Sequence, residues 1–242
     1  MKKKILACFC VIALLLCGCS TQSNTNDSSA GNTEVNPTGT YTNVSFSDTN
    51  SLYVDFKLQA SGKENKKETI TITKEEDGYR FQDSLHSGRL TDNGDGNFTA
   101  TKEKVATTDP LWVGTAEYGM EQYPYTSYLL YGDYLIEQIP ISGVSINGKL
   151  PSEQEATTCF ISINHITFST YTLTLSADGT CEIMTIFNGD ICTSSGTYSV
   201  NGKIISLNIT KGVFYGEELK GKIEMALYAD NNKLYDTVYR RK

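Results

Sequence analysis

The chain is poor in the residues that most catalytic centres use. It has two histidines in 242 residues, His86 and His165, in unrelated contexts. A three-histidine zinc centre is therefore excluded within one chain. No His-Glu-x-x-His, Gly-x-Ser-x-Gly, Ser-x-x-Lys or Cys-x-x-Cys occurs, and no glycine-rich phosphate loop precedes a helical stretch. These absences point away from an enzyme and imply no cofactor. Positive charge is scarce too, with 21 Lys+Arg against 28 Asp+Glu. No basic stripe is there to neutralise phosphates, which argues against nucleic acid as a partner. Tryptophan occurs once, at Trp112. No stretch approaches the ~18 consecutive apolar residues of a membrane-spanning helix.

What is present starts with Lys2, Lys3 and Lys4, followed by the apolar run Ile5–Leu16. As a helix that run would span about 18 Å, well short of the ~30 Å hydrocarbon core. It reads as the apolar region of a signal peptide. The run closes on Leu16-Cys17-Gly18-Cys19, which resembles the lipobox of bacterial lipoproteins. The resemblance implies that residues 1–18 are a signal peptide and that the Cys19 thiol carries the lipid. It also implies an extracytoplasmic protein anchored to the cell membrane. Losing residues 1–18, with three lysines and no acid, leaves 18 bases against 28 acids, a net charge of −10. That charge would hold the folded part off anionic headgroups. Residues 20–38 are polar, with Val35 the one weak apolar residue, and read as a tether. Its flexible reach is roughly 24 Å.

From Gly39 onward the pattern is β. Gly39 to Phe46, Leu52 to Leu58 and Thr69 to Thr73 alternate with period two. Residues 59–68 read as a charged loop or a solvated hairpin end. An internal duplication follows. Ser87-Gly88-Arg89-Leu90-Thr91-Asp92-Asn93-Gly94 returns as Ser195-Gly196-Thr197-Tyr198-Ser199-Val200-Asn201-Gly202. Ile70 to Thr73 before Asp77-Gly78 parallels Leu173 to Ser176 before Asp178-Gly179. Tyr128 to Leu135 parallels Met225 to Asp230 with Leu234-Tyr235. Three blocks in one order, about 100 residues apart, mark a repeated domain rather than a solenoid. The expected fold is all-β: two tandem antiparallel meanders of about six strands, residues 39–140 and 155–242. Asn-Gly and Asp-Gly turns join their strands. A short strand is placed at residues 144–146.

The second unit, from Tyr171-Thr172-Leu173-Thr174-Leu175 through Ser195-Gly196-Thr197-Tyr198 to Leu234-Tyr235, resembles the lipocalin-like β domains of Gram-positive envelope lipoproteins. That resemblance implies a barrel or half-barrel in each unit. Gly39-Thr40-Tyr41 stands where true lipocalins have Gly-x-Trp.

Outside the signal region the cysteines are Cys159, Cys181 and Cys192. A tight turn around Asn188-Gly189 sets Cys192 opposite Thr185 and Cys181 opposite Gly196. The two thiols are then ~13 Å apart along the strands, beyond the ~7 Å Cα separation of a disulfide. Pairing of Cys159 stays open. Asp92-Asn93-Gly94-Asp95-Gly96-Asn97 fails the calcium-loop spacing, because Gly94 and Gly96 stand where oxygen ligands are needed. No metal site is expected.

The candidate ligand-binding residues are aromatic. Trp112, Tyr118, Tyr123 and Tyr125 lie in a segment with no counterpart in the second unit. Tyr and Trp offer a flat apolar face and a polar tip. Tyr128, Tyr131 and Tyr134 fall inside the repeated hairpin and read as structural. The expected function is non-catalytic binding of a small apolar ligand, a glycan or a cell-wall component. The alternative is a structural or protein-interaction component of an envelope complex.

Overall fold

The computed structural model describes residues 35–46, 49–142, 144–147, 165–167, 171–187, 190–231 and 233–242. The expected signal peptide, Cys19, residues 20–34 of the expected tether and Cys159 lie outside the described residues. The chain forms β1 (Gly39–Asn43), α1 (Thr49–Ala60), β2 (Thr69–Glu75), β3 (Gly78–Gln82), β4 (His86–Gly94), β5 (Asn97–Val105), α2 (Pro110–Gln122), β6 (Tyr125–Tyr131) and β7 (Tyr134–Glu137). There follow β8 (Ser145–Asn147), β9 (His165–Thr167), β10 (Tyr171–Leu175), β11 (Thr180–Phe187), β12 (Asp190–Asn201), β13 (Ile204–Phe214), β14 (Glu217–Asp230), β15 (Lys233–Tyr235) and β16 (Val238–Arg241).

The fold is all-β, as the alternation implied. β1 to β7 form a meander that closes into an eight-stranded antiparallel barrel. The eighth strand comes from the far end of the chain: β16 pairs with β1 (Tyr41 opposite Arg241) and with β7 (Val238 opposite Ile136). Alternate residues point inward, and Tyr41, Ile70, Ile72, Phe81, Leu90, Phe98 and Ala100 fill the barrel. β8 to β15 form a second, open antiparallel sheet that curls around another core.

The duplication has a physical cause that the strand pairing exposes. β2 to β7 and β10 to β15 are matching runs of six strands. The repeated Ser-Gly sits on the matching strands β4 and β12. Each marks a β-bulge, with the register shifting at Ser87/Gly88 and at Ser195/Gly196. A Cβ at Gly88 would run into the Thr101 carbonyl, and one at Gly196 into the Asn208 carbonyl. Only glycine lets the neighbouring backbone come that close.

Two helices correct the sequence reading. Leu52 to Leu58 is helix, not strand. Its apolar residues alternate, but Leu52 and Phe56 are also four apart, and both are fully buried. They plug the open sheet: the Phe56 and Phe214 rings are 5.9 Å apart, and Leu52 and Phe56 join its core. The helix stops in a Schellman turn, with Gly62 at φ +71°, Lys63 N–H donating to Leu58 O and Gly62 N–H to Gln59 O. Residues 61–68 then form the exposed charged loop that was expected.

The second helix, α2, contains Gly114 and Gly119, each costing about 1 kcal/mol in a helix interior. That cost hides it from a periodicity argument. Asp109 caps it, accepting from Leu111 N–H at 3.0 Å, and Pro110 opens it.

The expected hairpin register of the second unit is the observed one, with Cys192 opposite Thr185 and Cys181 opposite Gly196. Both thiols are free and buried, and burial pushes the Cys181 thiol up to about 11. The short strand placed at residues 144–146 is observed as β8, one residue later.

Candidate functional site

The aromatic segment is exposed. Trp112 keeps 52% of its surface accessible, Tyr118 60%, Tyr123 67% and Tyr125 64%. Trp112 and Tyr118 sit on α2, Tyr123 at its C-cap and Tyr125 on β6. At 100° per residue, Leu111 and Tyr118 point outward together, while Trp112 lies about 120° from Tyr118 on the flank. The two large rings are therefore not coplanar neighbours on one platform. Ala116 marks the inward face, fully buried. The helix is pinned there by His86, whose Nε2 lies 3.0 Å from Ala116 O. His86 is thus a buried residue at the start of β4 and serves as a structural clasp. Tyr128 is buried in the barrel, and Tyr131 and Tyr134 pack where the barrel meets the open sheet. Tyr128 and Tyr131 are structural, as read from the repeat, whereas Tyr134 also lines the cleft between the two sheets.

The calcium-like loop is an ordinary hairpin end. Gly94 pairs with Asn97, and Asp92 Oδ1 accepts from Gly94 N–H at 2.8 Å.

A better-built site lies where the two β units meet, and no sequence motif announces it. Val44, Ile136, Ile204, Ala226, Tyr228 and Val238 form a small apolar seam. Val44 O accepts from Ala226 N–H, and Tyr131 and Tyr228 stack edge-on at 5.5 Å. Beside that seam is a cleft of about 320 Å³, within the range of small-ligand sites.

Strand register builds the cleft floor. Thr197 lies opposite Asn208 and Asn208 opposite Glu224; Ser199 lies opposite Ser206 and Ser206 opposite Ala226. Because side chains alternate, these residues form two rows on one face of β12, β13 and β14. Tyr134 and Arg240, from the barrel strands β7 and β16, complete the wall.

The electrostatics are specific. Arg240 donates to Glu224 Oε2 at 2.8 Å, and Lys222 Nζ lies 3.3 Å from Glu224 Oε1. Chiefly through the Arg240 hydrogen bond, the Glu224 carboxyl is held below the usual carboxylate range. It stays an anion with its geometry fixed. Asn208 is different: its Oδ1 is buried and, among the described residues, has no hydrogen-bond partner. The cleft thus offers three hydroxyls, an unsatisfied amide oxygen, a fixed carboxylate and a tyrosine ring. This set can exchange hydrogen bonds with a ligand rich in hydroxyl groups. Sequence reasoning missed it because Thr197, Ser199, Ser206 and Asn208 read as ordinary outward strand residues.

Comparison of the chain with protein-family models, with curated proteins and with solved structures finds no match.

Proposed function

We propose that the chain is a non-catalytic binding protein, held outside the cell membrane by a lipid on Cys19. Its folded part takes a polyhydroxylated ligand, a glycan or wall sugar, in the seam cleft. Asn208 Oδ1, buried in the cleft lining and without a hydrogen-bond partner among the described residues, carries this reading. An orphaned buried acceptor costs about 1–3 kcal/mol, and a ligand hydroxyl donating to it recovers that cost. Glu224, fixed by Arg240 and Lys222, supplies a second acceptor whose orientation is set before binding. The pairing of a polar floor with the Tyr134 ring suits a sugar, which has polar edges and an apolar face.

The test is a thermal-shift and calorimetric panel of wall-type saccharides on the wild-type chain and on Asn208→Leu. The expected result is a saccharide-dependent rise in melting temperature that Asn208→Leu abolishes. The variant itself should be no less stable, since it removes an unsatisfied group. Equal binding by the variant, or no response to any saccharide, would contradict the reading.

A second reading, an interaction component of an envelope complex, draws on an exposed apolar strip. Met184, Ile186 and Ile191 lie on the outer face of β11 and β12, with Ile186 and Ile191 directly opposite each other. Exposed apolar strips of this kind mark contact surfaces. If this reading holds, Ile186→Glu/Ile191→Glu releases a co-purifying protein while saccharide binding survives.

A further inference from the structure

Next to the sugar cleft is a larger open groove of about 870 Å³, and its character is opposite. Lys63, Lys66 and Lys67 come from the loop after α1, Lys222 from β14 and Lys242 from the residue after β16. Two carboxylates share the wall, Asp55 and Glu64, and Asp55 already accepts from Asn65 Nδ2 at 2.7 Å. Lys222 is shared with Glu224, and Lys67 Nζ reaches the Glu224 carbonyl at 3.4 Å. Lys63 and Lys66 have no ion-pair partner among the described residues. In a chain with 28 acids and 21 bases, a groove lined by five lysines from three segments runs against the overall charge.

The groove is held in shape. The Schellman turn at Gly62 sets the start of the loop, and Asn65 ties its middle to α1 through Asp55. Gln59 brackets β14, donating to Lys222 O at 2.9 Å and accepting from Lys222 N–H at 2.8 Å. Thr42, from β1, also lines the groove, and its Oγ1 is buried and without a partner among the described residues.

We propose that this groove binds a multivalent phosphate anion, with Lys63, Lys66, Lys67 and Lys222 supplying the charge and Thr42 a hydroxyl donor. Phosphate fits better than carboxylate because all the cations are lysines. An ammonium acts as a compact point charge, whereas planar bidentate carboxylate recognition favours arginine. A multivalent anion fits better than a single phosphate because the lysines come from separate segments around an open groove of about 870 Å³. Lys222 lines both sites, but Asn208 lines the sugar cleft alone, so Asn208→Leu leaves the groove intact.

The experiment is titration calorimetry of the full chain, in non-ionic detergent at low ionic strength, with sodium tripolyphosphate. Saturable binding is expected. For Lys63→Gln/Lys66→Gln it should weaken about thirty-fold, roughly a factor of five for each surface charge removed. Neither residue has a side-chain hydrogen bond or ion pair to lose among the described residues, so an unchanged melting temperature separates loss of the site from loss of the fold. A parallel arm compares flotation with phosphatidylglycerol and phosphatidylcholine vesicles. A variant-sensitive preference for the anionic vesicles, without tripolyphosphate binding, assigns lipid headgroups as the phosphate source. Variant-sensitive tripolyphosphate binding assigns a soluble source. The proposal is overturned if neither probe binds at low salt, or if the double variant binds as tightly as the wild type.

Discussion

The same meander is completed in two ways in this molecule. The first copy, β2 to β7, is sealed into a barrel by β1 and β16, so its edges are paired. The second copy, β10 to β15, stays open, and its core is covered by α1, a helix borrowed from between β1 and β2. Closure removes exposed edges at the cost of interior space, since a small eight-stranded barrel is filled by its own side chains. The polar rows of the seam cleft lie on the outer face of the open copy, against Tyr134 and Arg240 of the barrel. Duplication thus yields two differently completed units, and the cleft draws its floor from the open one and its wall from the closed one.

That comparison breaks most visibly at the plug. Phe56→Ala removes a fully buried ring from the open sheet and should cost about 3–5 kcal/mol. Hydrogen exchange should then accelerate in β10 to β14 before β2 to β7; uniform acceleration would mean the two units are not separately supported. Next come the paired bulges. Gly88→Ala and Gly196→Ala should each cost about 1–3 kcal/mol through the same carbonyl collision. Similar chemical-denaturation losses sharpen the repeat, and a loss in one alone breaks it. Asp109→Ala should cost about 1 kcal/mol and fray α2, read as a red shift in the fluorescence of Trp112, the sole tryptophan.

The smallest effect is on pH dependence. Burial raises the carboxyls of Glu68, Glu137 and Asp236 in the folded state. The stability tied to their protonated forms is full below the unfolded values and is lost as pH rises through the raised ones. Glu224 runs the other way: its folded value is lowered, so its contribution is present above the unfolded value and lost as pH falls. Melting temperature should therefore climb as pH falls through the raised values toward the unfolded carboxylate range, and Glu137→Gln should flatten that slope. A melting temperature that falls steadily over the same interval would contradict the assignment.

Much of the fold was legible because alternation and Gly-containing turns are local signals. The Cys181–Cys192 register followed from one hairpin turn, and the repeat from Ser-Gly and its flanking strands. The helices were not legible. Leu52 and Phe56 satisfy both periods, and only packing against Phe214 decides between them, while Gly114 and Gly119 hide α2. Closure by β16 is a long-range event that no local pattern encodes. The aromatic segment was correctly read as unlike its surroundings, and its rings are exposed. The seam cleft escaped notice because its polar residues acquire meaning only when β12, β13 and β14 align them opposite Arg240 and Tyr134.

The most direct test of the site assignment is backbone amide chemical-shift mapping during titration with a saccharide that raises the melting temperature. The account predicts perturbations at Thr197, Ser199, Ser206, Asn208 and Glu224, with α2 silent. Perturbations confined to Trp112, Tyr118, Tyr123 and Tyr125, with the cleft silent, would contradict it.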